Sequence, residues 1–295
     1  MKILITGGTG FIGKHLIRRL QLNGHKVCAV TRPSSDTHFF TEQHVETYTF
    51  DKNIDDFTRY FQTQHFDGVV HLASLFLAQH KSADIPNLVD SNVFFATALL
   101  EAASKGGVGW FINTGTFWQH YQDSEYDPVN LYAATKQAFQ DIAKYYAATS
   151  SINFVTLQLS DTFGPGDTRP KIFNLWMKHA KTHERLDMSP GDQCLDISYI
   201  DNVIDGYVRL TELLTRDTER KSNGCVFALT SGRSRPLKEL ADIFQKVTGV
   251  TLNIQWGARP YRPREVMETW SKGVTIPGWT PAVSLEEGIQ RTFHE

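Results

Sequence analysis

The stretch Lys2-Ile3-Leu4-Ile5-Thr6-Gly7-Gly8-Thr9-Gly10-Phe11-Ile12-Gly13 decides the fold. Its short apolar run stops at glycines and reads as a buried strand. The apolar periodicity over residues 11–22 reads as a helix, stopped by Asn23-Gly24. Strand, glycine turn and helix in direct succession make a phosphate cradle. Gly7 permits a tight turn, Gly10 lets backbone approach a pyrophosphate, and Gly13 lets helix and strand pack closely. The helix start adds free N–H groups and a partial positive charge. Phe11 and Ile12, between the last two glycines, are expected to line the same cradle.

Outward from this unit, apolar segments at 27–31, 45–50, 68–72, 110–113 and 153–159 read as strands. Helical segments at 87–104 and 131–149 lie among them. That alternation implies an α/β fold, a Rossmann-type doubly wound parallel sheet. After Ser160 the rhythm breaks, which predicts a smaller C-terminal substrate lobe. Residues 1–162, with 193–212 and 224–231, are expected in the dinucleotide-binding domain. Residues 163–192 and 232–295 are expected in the lobe.

Composition narrows the function. The 295 residues carry a formal charge of −2, so no charge excess recruits nucleic acid or an anionic membrane. Cys28, Cys194 and Cys225 are far apart and form no CxxC pair, which disfavours a disulfide scaffold or structural zinc. His179 and His183 have helical ligand spacing but no third ligand, and no metal is expected. The first apolar run is too short for a signal peptide, and no stretch approaches the ~20 apolar residues of a spanning helix. A cytoplasmic location is expected.

The tip of the second strand reads Thr31-Arg32-Pro33-Ser34-Ser35, with no acid to bond a ribose 2′-hydroxyl. Arg32 can instead pair with the 2′-phosphate of NADP. NADP is the expected cofactor, with NAD as the alternative. Downstream, Tyr132-Ala-Ala-Thr-Lys136 places a phenol and an ammonium four apart, on one helix face. A phenol ordinarily ionises near ~10, and a neighbouring cation lowers that value. Tyr132 is thus expected to exchange a proton with a substrate oxygen while hydride moves at the adjoining carbon.

With these motifs the chain resembles the extended short-chain dehydrogenase/reductase family, in its nucleotide-sugar epimerase/dehydratase branch. Asp51 matches the family's adenine contact, and Asp67-Gly-Val-Val-His71-Leu72-Ala73 its fourth strand and cofactor-lining turn. Asn92 matches its helix asparagine, and Phe111-Ile-Asn-Thr114-Gly-Thr116 its strand ending in a catalytic hydroxyl. The resemblance makes Thr116 the hydroxyl that bonds the substrate oxygen, with Thr114 as rival and cofactor neighbour. Asp161-Thr-Phe-Gly-Pro165, Leu195-Asp196 and Arg262-Pro-Arg-Glu-Val266 match later elements, and Arg262 sits where the family holds a diphosphate. Arg169, Lys171 and Arg233 are further candidate cations, while Asp161 and Phe117 are candidate substrate contacts.

The departures are informative. Phe117-Trp118 replaces the Asp-Glu pair with which dehydratases eliminate water, so dehydration is disfavoured. Asp161 replaces an Asn, and Leu195 an Arg. The stretches 113–120 and 131–138 resemble the CDP-dideoxyhexose synthases of paratose and abequose type, 4-ketoreductases of O-antigen sugar synthesis. The expectation is therefore an NADPH-dependent reductase of a nucleotide-linked 4-keto-deoxyhexose. An NAD-dependent 4-epimerase is the first alternative, and a non-catalytic dinucleotide sensor on the same fold the second. The family also implies a possible homodimer.

Overall fold

The computed structural model describes residues 1–294. Eight parallel strands form one sheet: β1 (Lys2–Thr6), β2 (Lys26–Thr31), β3 (Glu46–Thr49), β4 (Gly68–His71), β5 (Trp110–Thr116), β6 (Asn153–Leu159), β7 (Val226–Leu229) and β8 (Val274–Thr275). Their spatial order is β8-β7-β6-β5-β4-β1-β2-β3. Order therefore reverses between β1 and β4, in register Ile3 with Gly68 through Thr6 with His71. Open α/β sheets bind ligands at such a switch point, beyond the carboxyl ends of the strands.

Successive residues of β1 point to opposite faces, as a strand's two-residue period requires. Ile3 and Ile5 pack with Leu16, Ile17 and Leu20 of α1 (Phe11–Leu22) and with Val203, Tyr207 and Leu210 of a later helix. Leu4 packs on the other face with Phe57 and Phe61 of α2 (Ile54–Gln64), Leu99 of α3 (Phe95–Lys105) and Phe139 of α4 (Leu131–Thr149). The strands are apolar on both faces because helices cover both.

The smaller lobe holds α5 (Ile172–Thr182) and α7 (Leu237–Thr248). Between them in the chain, α6 (Ile200–Arg216) returns to pack beside α1. Short strand pairs join the later segments, among them Asp161–Phe163 with Ile197–Tyr199. A final helix, α8 (Leu285–Phe293), is capped by Ser284, which accepts a hydrogen bond from the Glu287 amide.

One short segment of the stretch expected in the lobe joins the sheet: β8 pairs with β7 at its edge. Two residues carry too little periodicity to reveal that partner. Asp161 and Thr162 pair with Ile197 and Ser198, which are expected in the same domain. No helix among the described residues is long and apolar enough to cross a membrane.

Candidate active site

At the switch point the glycines do what the turn demands. Gly7 has φ +69, and a Cβ there would stand 2.7 Å from the Ala73 amide nitrogen. A Cβ on Gly13 would collide with the Gly7 carbonyl, so α1 seats directly on the turn. α1 starts at Gly10 with no side-chain cap and no acid in its first turn. Its opening N–H groups are left to an anion. Thr6 accepts a hydrogen bond from the Ala73 amide (3.1 Å) and meets His71 Nδ1 (2.8 Å), which fixes the turn after β4. Burial, with the Lys136 charge nearby, holds His71 well below the usual histidine range, so the ring is neutral.

A cleft of about 500 Å³ opens beside this turn. Ile12, Leu72, Thr114, Thr116, Phe117, Tyr132 and Lys136 all line it. The dyad predicted from sequence thus faces the crevice from α4, which begins at an Asn130 cap bonded to the Ala133 amide (2.9 Å). The rivals at the end of β5 differ in what they touch. Thr114 shares a 2.7 Å hydrogen bond with the buried Tyr207, whereas Thr116 lies in hydrogen-bond contact with Tyr132.

The acidified phenol expected from the Tyr132/Lys136 spacing is corrected. Burial pushes Tyr132 up to about 12. The Ser74 and Thr116 hydroxyls favour its ionised form, and the Asp161 charge opposes it. Burial also brings Lys136 down to about 8. Desolvation outweighs the helix spacing because the two groups lie at the base of a largely apolar cleft. Lys136 is 3% exposed, and no described residue hydrogen-bonds its ammonium. A buried cation without a partner, beside a glycine cradle and uncapped helix start, fits a dinucleotide. The Arg32 guanidinium, exposed at the tip of β2, likewise has no ion-pair or hydrogen-bond partner among described residues.

Two residues expected to contact the cofactor have protein partners in this arrangement. Asn92 sits in a π-helical turn, Asp90–Phe94, and its amide is saturated by protein. Its oxygen accepts from the Leu75 amide (2.8 Å) and the Ser74 hydroxyl (3.2 Å), while its nitrogen donates to the Leu75 carbonyl (3.0 Å) and Thr135 (2.9 Å). Asn92 thus ties the segment after β4 to α4. Asp51 caps a turn by accepting from the Asn53 amide (3.0 Å).

On the substrate side three candidate cations are already paired. Arg169 is bidentate to Asp167 (2.7 and 2.8 Å) and lies over the Phe11 ring. Lys171 bonds Asp161 at 2.7 Å. Arg262 is held by Glu265 and stands 5.7 Å from the Trp118 ring centroid. Asp161 and Lys171 lie where the cleft meets a second cavity of about 430 Å³, lined by Arg259 and Arg262. Arg233 is corrected. It is bonded to Glu239 on the rim of a separate hollow, outside both cavities, because its turn faces away from the cleft.

Sequence reasoning missed Ser74, Phe76 and Trp270. Ser74 follows the quoted strand motif by one residue. Phe76 meets Tyr132 edge-on, with centroids 5.0 Å apart, and flanks Trp118. Trp270 stacks on His120 at 4.0 Å and also lines the cleft. Its segment is fastened across the loop after β5, where Gln122 accepts from the Met267 and Glu268 amides and Asp123 from the Ser271 amide. Contacts some 150 residues apart leave no local signal.

Comparison with known proteins agrees with this geometry. Residues 3–222 match the NAD dependent epimerase/dehydratase family. CDP-abequose synthase of Salmonella muenchen is 28% identical, with 98% of this chain and 96% of that protein covered. The Salmonella typhimurium protein of the same name is 27% identical over the same shares. Among solved structures, UDP-glucose 4-epimerase of Thermotoga maritima superposes with a TM-score of 0.86 at 23% identity, covering 100% of this chain and 98% of that one. The chain is an enzyme belonging to the NAD-dependent epimerase/dehydratase family of extended short-chain dehydrogenase/reductases.

Proposed function

We propose that this enzyme reduces a nucleotide-linked 4-keto-deoxyhexose at C4, with NADPH as reductant and a CDP-sugar as the favoured substrate. One observation carries the reading: a phenol flanked by two hydroxyls and an unpaired buried ammonium at the base of the cleft, with no carboxylate following Thr116. The dinucleotide supplies hydride when bound. Tyr132 gives its proton to the carbonyl oxygen, Thr116 hydrogen-bonds that oxygen, and Lys136 offsets the charge left on the phenol. Gly7, Gly10 and Gly13 cradle the pyrophosphate, and Arg32 takes the 2′-phosphate. Lys171 and Arg262 hold the diphosphate, with Arg169 bracing the wall and Phe117 packing near the sugar. The likeness to CDP-abequose synthases over nearly the whole chain supports the CDP-sugar class.

The test is an assay of CDP-, dTDP-, UDP- and GDP-4-keto-deoxyhexoses with NADPH and NADH. Oxidation of NADPH with a CDP-4-ketose is expected. Purified enzyme that carries NAD and turns over a nucleotide hexose without added reductant would establish the epimerase instead. Absence of turnover with every sugar, despite dinucleotide binding, would favour a sensor. The reducing compartment implied by the free Cys28, Cys194 and Cys225 supports a cytoplasmic site. Ile85, Val89 and Phe94 are each more than a third exposed, as is Tyr145 on α4, which supports a homodimer through these helices. Sedimentation as a monomer would refute it.

A further inference from the structure

We infer that Ser74 is an additional catalytic hydroxyl, a rotor that accepts from the Tyr132 phenol at rest and donates to it once the proton has left. The inference rests on the proton-transfer reading above and adds a residue to it. Ser74 lines the cleft with Tyr132 and Thr116 and is in hydrogen-bond contact with the phenol.

Its orientation is set by Asn92. The Leu75 carbonyl can only accept and the Leu75 amide can only donate. Asn92 must therefore turn its nitrogen to the first (3.0 Å) and its oxygen to the second (2.8 Å). That oxygen also faces Ser74 Oγ at 3.2 Å, so Ser74 donates to it. The serine lone pairs are left for Tyr132, and the resting chain runs from the phenol O–H to Ser74 and from Ser74 to Asn92.

When substrate accepts the phenol proton, the Tyr132 O–H bond breaks and an O–H bond forms on the former carbonyl oxygen. The adjoining carbon receives hydride from the dihydronicotinamide. Ser74 then needs only a rotation about Cβ–Oγ to donate to the phenolate. Asn92 loses one of its two donors and keeps the Leu75 amide, so the turn stays fixed. The other charged or titratable groups facing Tyr132 are Lys136 on its own helix, Asp161 on the strand across the cleft, Lys171 above Phe76 and Tyr207 behind Thr114. None of these is a neutral hydroxyl bonded to the phenol. Of the two that are, Thr116 also lies where the substrate oxygen is expected, which leaves Ser74 to serve the phenol alone.

The experiment compares Ser74→Ala and Ser74→Thr with the parent enzyme. Turnover of the CDP-4-ketose by S74A should fall about 10-fold in kcat. KM and NADPH affinity should be unchanged, and S74T should retain most activity. Independently of substrate, [13Cζ]tyrosine NMR of the NADP+ complex follows Tyr132, its resonance assigned by its loss in Y132F. Its titration midpoint should move to higher pH in S74A and stay near the parent value in S74T. A midpoint and kcat unmoved in S74A overturn the proposal. Equal damage in S74A and S74T, with a lowered melting temperature, overturns it in favour of a packing role. If the parent enzyme reduces no 4-ketose, the substrate reading fails, while the NMR midpoint still decides the role of Ser74.

Discussion

The two walls of the cleft hold their charges in opposite ways. On the sheet side, Lys136 and Arg32 have no anionic partner among the described residues, and the glycine turn presents bare backbone. On the lobe side three cations are matched: Arg169 with Asp167, Lys171 with Asp161, Arg262 with Glu265. An unpaired wall is complete only with a polyanion in place. A paired wall must exchange an internal carboxylate for a ligand phosphate, so its contacts cost more to form and discriminate more between ligands. Cofactor binding should therefore be tight, and substrate binding weaker and selective.

The largest effect that would break this contrast is at the dyad itself. Tyr132→Phe should lower kcat by about 10² to 10⁴-fold while leaving dinucleotide affinity intact, measured by steady-state kinetics and fluorescence titration. Unchanged turnover would remove the proton donor from the scheme. Next comes Arg32→Ala, which should weaken NADPH by roughly 10-fold or more and leave NADH nearly unaffected, because one charge-assisted pair is lost with the 2′-phosphate only. Equal loss for both cofactors would contradict its assignment.

On the lobe side, Arg262→Ala should weaken CDP by roughly 10-fold in calorimetry. Arg233→Ala, outside both cavities, should leave that affinity unaltered. Matching losses would erase the distinction drawn between the two arginines. The smallest effect is thermodynamic. Burial lowers Lys136 from 10.5 to about 8, so between these values the unfolded chain holds more protons than the folded one. Stability then rises with pH across that window, and the cost is fully present below it. Urea unfolding of Lys136→Met should show up to about 3 kcal/mol more stability at pH 7 and little difference above pH 10. A parallel offset at both pH values would mean the ammonium is solvated when folded.

What could be read from the sequence follows the same boundary. Gly7 and Gly13 are legible because a Cβ at either would collide with backbone, and Tyr132 with Lys136 because a helix puts them on one face. Helix α2 escaped notice although Asn53 caps it by accepting from the Asp56 amide and two acids occupy its first turn. Helix α8 carried a Ser-x-x-Glu signature that went unread. Arg233 was misplaced because charge type says nothing of which way a turn faces. Ser74 and Trp270 owe their positions to tertiary contacts, one through Asn92 and one through His120. The phenol's high pKa was illegible because desolvation depends on what covers the group, and Phe76 is far away in sequence.

The roof of the cleft and the rim of the sheet belong to one piece of chain. Val274 and Thr275 pair with Phe227 and Ala228, four residues beyond Trp270. A two-residue border strand gives up few pairings and guards its neighbour against strangers. The same ribbon, fastened to Gln122 and Asp123, sets the height of the ceiling. Remodelling of residues 259–272 can thus retune which sugars enter while the central strands keep their register, provided the fastening is retained.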